Sequence, residues 1–199
     1  MYKVVDSLIS SSCSPPKYLA EGIAAGSLIL TSNGLLTIEE LERGSLLQTQ
    51  DYGLLPLADV YSIAFDNDVV PQIMRISAGV LGAVQELYLG CAQHVALQHM
   101  LSAALFGVPT ALIRIEALTS GDHVARATIE VQLYKIILTR RALIQVSGVW
   151  LSSHAADATE ALPYPELEGS DATTAGECGI FVRKTGERHA RPSKLEEAA

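Results

Sequence analysis

Cys91 and His94 stand three residues apart in Leu87-Tyr-Leu-Gly-Cys-Ala-Gln-His94-Val-Ala-Leu. A thiol and an imidazole at one tight corner can form a nucleophile–base pair, the imidazole taking the thiol proton. No third orienting group and no oxyanion hole can be named beside them. With His99 they give a C-x2-H-x4-H spacing, which lacks the fourth ligand of a zinc site. No metal and no cofactor is expected. The plainer alternative for His94 is a core histidine at a strand start, hydrogen-bonded to backbone. Cysteines at 13, 91 and 178 are too few and too scattered for a disulfide framework or a CxxC ribbon. The chain has no GxGxxG after a strand, no GxxxxGK[ST], no HExxH and no GxSxG.

The elements that must position these residues read as mostly β. Ser27-Leu-Ile-Leu-Thr-Ser is a strand followed by an Asn33-Gly34 turn signal. Thr37-Ile-Glu-Glu40 has the capping-box pattern and Gly44 a stop, which predicts a short helix over Thr37–Arg43. Ser45–Gln50 is the next strand, turned at Asp51–Gly53. Leu54–Phe65 is apolar apart from Pro56, and Asp66–Asp68 turns it. Glu86–Leu89 and His94–Leu97 are short strands around the Gly90–Gln93 corner. Gln98–Phe106 suits a helix ended by Gly107 and Pro109, and Ala111–Leu118 fits either type. From His123 to Trp150, apolar and β-branched residues predict two long strands, near Ala125–Leu138 and Ala142–Leu151, joined at Thr139–Arg141. Tyr134 and Trp150 read as core residues. Short strands with frequent turns predict an antiparallel, mostly β fold with one or two short helices.

The 199 residues are 49% hydrophobic and 18% charged, which excludes wholesale disorder and allows one sizeable core. A net charge of −8 argues against a nucleic-acid binder. Gln98, His99, Pro109, Arg114 and Glu116 interrupt the most apolar stretch, Val95–Leu118, so no membrane span is expected. Lys3 is the only early cation and Asp6 breaks the first apolar run. That is no clear signal peptide, and leaves a cytoplasmic location by default. Half of the net charge falls in residues 155–199. The expected layout is an N-terminal extension over 1–19, a body over 20–152 and a flexible or loosely docked tail over 153–199. Arg183, Lys184, Arg188, Arg191 and Lys194 make the segment 183–194 basic. It is either a solvated end or a contact for an anionic partner.

Three stretches resemble the Hint domain, the self-processing module of hedgehog C-terminal domains and inteins, in its bacterial Hint-2-like branch. The first runs from Gly22 through Ser27, Asn33-Gly34 and Thr37-Ile-Glu-Glu to Gly44-Ser-Leu-Leu. The second is the Cys91–His94 block. The third is Val131-Gln-Leu-Tyr-Lys135-Ile-Ile-Leu-Thr-Arg-Arg141-Ala-Leu-Ile-Gln-Val. Together they span about residues 20–152. The resemblance implies the compact Hint β fold and a family chemistry. In that chemistry a first-position Cys or Ser attacks the carbonyl before it, and the block histidine protonates the amide nitrogen.

The departures fall where that chemistry lives. Gly22 takes the nucleophile position, and Lys135 and Arg141 take the late histidine positions. Ala142 replaces an acid, and Cys91 stands where the family has a hydroxyl. Of the family's catalytic set only His94 remains, and it is expected to face Gly22. Ser27 matches a structural position, and Cys13 lies nine residues too early. Arg141 is expected at the surface, since burial without a carboxylate is costly. A domain that has lost self-cleavage and serves as a folded scaffold or binding module, with an unidentified protein partner, fits this pattern. Active autoprocessing through an unrecognised nucleophile and an unrelated small β-rich Cys/His enzyme are the alternatives.

Overall fold

The computed structural model describes residues 20–65, 71–98, 100–119, 121–157 and 161–177. Cys13, His99, Cys178, the Asp66–Asp68 turn and the basic segment 183–194 lie outside them.

In chain order the strands are β1 (Ile23–Ala24), β2 (Leu28–Thr31), β3 (Gly34–Thr37), β4 (Leu46–Thr49), β5 (Gly53–Ser62), β6 (Ile73–Ile76), β7 (Leu87–Gly90) and β8 (His94–Gln98). Helix α1 (Met100–Phe106) follows, then β9 (Thr110–Arg114), β10 (Val124–Ala127), β11 (Leu133–Leu138), β12 (Leu143–Val146), β13 (Val149–Ser152) and β14 (His154–Ala155). Helix α2 (Gly169–Glu177) ends the described chain. The strands make one curled sheet in the order β10-β6-β7-β1-β11-β5-β4-β2-β12-β13-β8-β9, with β3 on β2 and β14 beside β11. Its ladders are antiparallel except β11–β14.

Turn chemistry sets the hairpins. The β2–β3 turn is Ser32-Asn33, closed by the Thr31 hydroxyl donating to the Gly34 carbonyl at 2.8 Å. The three-residue β4–β5 loop ends at Gly53, whose φ of +68° favours glycine. The β12–β13 turn is Ser147-Gly148, with φ of +46° and +92°. Positive φ at both central residues matches the right-handed strand twist.

Three local expectations are corrected. The strand expected over Ala142–Leu151 is this hairpin. The strand expected over Ala125–Leu138 is two, because β10 pairs β6 at the sheet edge while β11 pairs β5 in its interior. The helix expected over Thr37–Arg43 is one 3-10 turn, Ile38–Glu40, since Leu41 returns to extended backbone. The helix expected near Gln98–Phe106 is found as α1, with Gln98 ending β8. The ambiguous Ala111–Leu118 divides into β9 and a 3-10 turn, Ile115–Leu118.

The main core gathers Ile29, Ile38, Leu47, Met74, Ile76 and Ile113, all sealed from solvent. Strand β8 is covered on both sides. Val95 and Leu97 enter this core, while Ala96 joins Leu112, Leu143 and Leu162 in a second cluster with Trp150 and Tyr164 against it. Leu162 belongs to residues 161–177, which with 153–157 are the described part of the expected tail. Leu167, Ala172 and Ala175 of the same segment enter the main core. Each leucine buried this way contributes roughly 1.5–3 kcal/mol.

The Tyr164 hydroxyl donates to Asp51 Oδ1, and Asp51 Oδ2 accepts from the Leu143 N–H at 3.0 Å. Burial and the Asp51 carboxylate push the Tyr164 phenol up to about 12. Tyr164 is therefore expected to ionise well after exposed tyrosines in an ultraviolet absorbance titration. Tyr164→Phe should remove the late step and cost about 1 kcal/mol in urea unfolding.

Candidate functional site

The chain enters the sheet through Ala20-Glu21-Gly22. The Ala20 carbonyl accepts from the Ala92 N–H and the Gly22 carbonyl from the Gly90 N–H, each at 2.9 Å. Gly90 permits this approach. A Cβ there would lie 2.8 Å from the Ala20 carbonyl carbon and 3.2 Å from that of Glu21. The Glu21 side chain reaches residues from three strands. Its carboxylate stands 3.3 Å from His154 Nε2, 3.8 Å from Lys135 Nζ and 3.9 Å from His94 Nδ1. On the other side of His94, Nε2 lies 3.7 Å from Glu166 Oε2, and Glu166 Oε1 lies 3.6 Å from Arg141 Nη2.

Burial lowers the His94 imidazole below its usual value. Glu166 and Glu21 oppose the shift, and Arg114 and Arg141 add to it. Burial also lowers His154, against the pull of Glu21. Both imidazoles are accordingly neutral near pH 7. Lys135–Glu21 and Arg141–Glu166 supply the site's ionic pairing.

Arg141 departs from its expected surface position. Its side chain is only 26% exposed, and Glu166 supplies the carboxylate that makes partial burial tolerable. Lys135 is likewise half-buried against Glu21. Cys91 is fully buried, and burial pushes its thiol up, so a Cys–His pair would start from a protonated thiol. The Ser27 hydroxyl is buried and donates to the Ala24 carbonyl at 2.7 Å, a structural contact.

His154, Glu21 and Glu166 join the site although no motif in the sequence marks them. His154 lies eight residues past the third matched stretch, and a histidine closing an apolar strand was the signal available for it. Glu21 and Glu166 carried no signal, because each gains meaning only from its neighbours in space.

A cavity of about 410 Å³ opens beside Glu21, with Ala20, Tyr61, Ile63, Arg114 and Lys135 among its walls. Its described lining includes no serine, threonine or cysteine. Gly22, at the position matched to the nucleophile, has φ of +152°. A Cβ there would lie 2.9 Å from Ile63 Cδ1, 3.1 Å from Leu133 Cβ and 3.3 Å from the Tyr134 carbonyl oxygen. Among the described residues no group of three or more His, Cys, Asp and Glu is arranged to hold a metal ion. No helix among them is long and apolar enough to cross a membrane.

The sequence model of the Hint domain matches residues 22–158, beginning at Gly22 itself. The chain belongs to the Hint domain family. That membership sets aside the reading as an unrelated β-rich enzyme and accounts for the curled antiparallel sheet. Among solved structures, this Hint domain is similar to a bacterial intein-like domain from Clostridium thermocellum. The identity is 13% and the TM-score 0.48, over 68% of this chain and 99% of that one. It is also similar to the MchDnaB-1 intein, at 12% identity and a TM-score of 0.43, over 66% and 99% of the two chains. The gp41-1 intein aligns at 10% identity and a TM-score of 0.43, over 68% and 98%. No curated protein sequence matches.

Proposed function

We propose that this Hint domain is a folded binding module that does not cleave its own chain. One observation carries the reading: position 22 has no nucleophile, and its surroundings resist one. The positive φ disfavours any side chain, and a Cβ would press on Leu133 and the Tyr134 backbone. The late-block positions hold Lys135 and Arg141 in ion pairs, so they do not supply titrating imidazoles.

Incubation of the full chain with excess dithiothreitol, followed by intact mass spectrometry, tests this. The expected result is one unchanged mass. The Gly22→Cys variant should also stay whole and unfold at lower urea than the parent. The competing reading is active self-processing. It has one observation in its favour, since His94 and His154 both approach the Glu21 side chain beside the family's reacting bond. A fragment ending at Glu21 would establish it.

A further inference from the structure

We propose that the edge of β9, with the notch formed by His94 and Arg141, is a recognition site for an extended acidic peptide. In this chain its own residues 162–167 occupy that site. The inference rests on the binding-module reading and gives it a partner class.

Strand β9 is the last strand of the sheet, and a sheet edge offers unpaired backbone groups to an added strand. Residues 165–167 take that place in parallel. The Leu112 N–H donates to the Pro165 carbonyl at 2.8 Å, and the Leu167 N–H donates to the Leu112 carbonyl at 2.7 Å. Side chains along the segment enter separate receptors. Leu162 packs on Ala96, Leu112 and Leu143. Tyr164 donates to Asp51. Glu166 stands between His94 and Arg141. Pro165 has no N–H to satisfy and favours extended backbone before it. Main-chain pairing with spaced side-chain pockets is how sheet edges recognise peptides. The pattern read is apolar, spacer, Tyr, Pro, Glu, apolar.

The internal occupant leaves the site incompletely satisfied. A cavity of about 310 Å³ remains beneath it, walled by His94, Arg114, Glu116, Leu167 and Glu168. The Arg114 side chain, which lines both this cavity and the one beside Glu21, has no ion pair or hydrogen bond among the described residues. Glu168 of the internal segment lines the same cavity but makes no ion pair with that guanidinium, because the chain turns into α2 at Gly169. A peptide that continues straight past the Glu–apolar pair would bring its next carboxylate onto Arg114. Such a segment of another protein can displace residues 162–167 and place its glutamate against His94.

The test uses the full chain and a fluorescent synthetic peptide with the sequence of residues 161–168, followed by anisotropy. Glu166→Lys sets a cation against Arg141 and should release the internal segment, as should Leu162→Ser by removing its apolar anchor. Each folded variant should bind the peptide at least tenfold tighter than the parent chain does. The same peptide carrying Glu166→Lys should bind at least tenfold more weakly. Folded variants with parental affinity, or equal binding of both peptides, overturn the proposal. So does failure of both variants to fold, since the segment would then be inseparable from the core. Loss of peptide binding leaves the intact mass unchanged, so the non-cleaving reading stands or falls separately.

Discussion

Gly90→Ala is expected to destabilise the domain by about 3 kcal/mol, the upper end for overpacking a filled site. The added methyl meets main chain, the Ala20 carbonyl and the Glu21 carbonyl carbon, and backbone cannot rotate away. Relief requires β7 to part from residues 20–22. That would break the Gly90–Gly22 and Ala92–Ala20 hydrogen bonds and withdraw Glu21 from His94, His154 and Lys135. Urea unfolding followed by tryptophan fluorescence measures the loss, with Trp150 as the single reporter. A change below 1 kcal/mol would mean that the entry segment is not held as described. Gly26→Ala is the control: nothing lies within 4 Å of a Cβ there, so only its φ of +76° adds cost.

Acidification from pH 7.5 to 5.5 is expected to weaken the fold through the two site histidines. Folding lowers both imidazoles below the ordinary value of about 6.5. The unfolded chain therefore binds more protons in this window, and stability falls as the pH falls. The contribution is fully present above the unfolded value and is lost progressively toward the lower folded values. For His94, whose side chain is 11% exposed, the slope is bounded by the one-proton limit of about 1.4 kcal/mol per pH unit. His154 is 35% exposed and carries less, because water screens it. His94→Gln should flatten most of the dependence of the urea midpoint on pH. A midpoint that rises on acidification would show that Glu21 and Glu166 outweigh burial and hold the imidazoles charged.

The family was legible in the sequence because its three stretches keep their order and turn chemistry. Gly22, Ser27, Asn33-Gly34 and Gly44 mark the opening, and the Gly90–His94 corner marks the second stretch. Strand boundaries were less legible. Ser147-Gly148 is a turn dipeptide, but it sits within a run of Val, Leu and Ile, where composition argues for one strand. The turn is decided by pairing, since β12 must fold back on β13 to reach β8. Local signals also overstated the Thr37 helix. The Thr37 N–H and hydroxyl both donate to Glu40 Oε2, at 2.8 and 2.9 Å, so the cap forms while the helix stops after one turn. The site was half visible. His94, Lys135 and Arg141 could be placed from the matched stretches. Their pairing with Glu21 and Glu166 could not, because residues 21, 94 and 166 meet only after the sheet has curled.

The position of β1 sets a clock on the nascent chain. Ile23 pairs with Leu89 on one side and Tyr134 on the other. At about 5–20 residues per second, the ribosome needs roughly 6–20 s to travel from Ile23 to Tyr134. The β2–β3 and β4–β5 hairpins close locally during that interval, while β1 waits for both neighbours. Loop-closure entropy makes such distant pairings late events. Glu21 therefore meets Lys135 and His154 only after more than a hundred further residues have been made, and Glu166 joins His94 later still. A ribosome stalled before residue 133 leaves β1 without its β11 partner, and the site without Lys135.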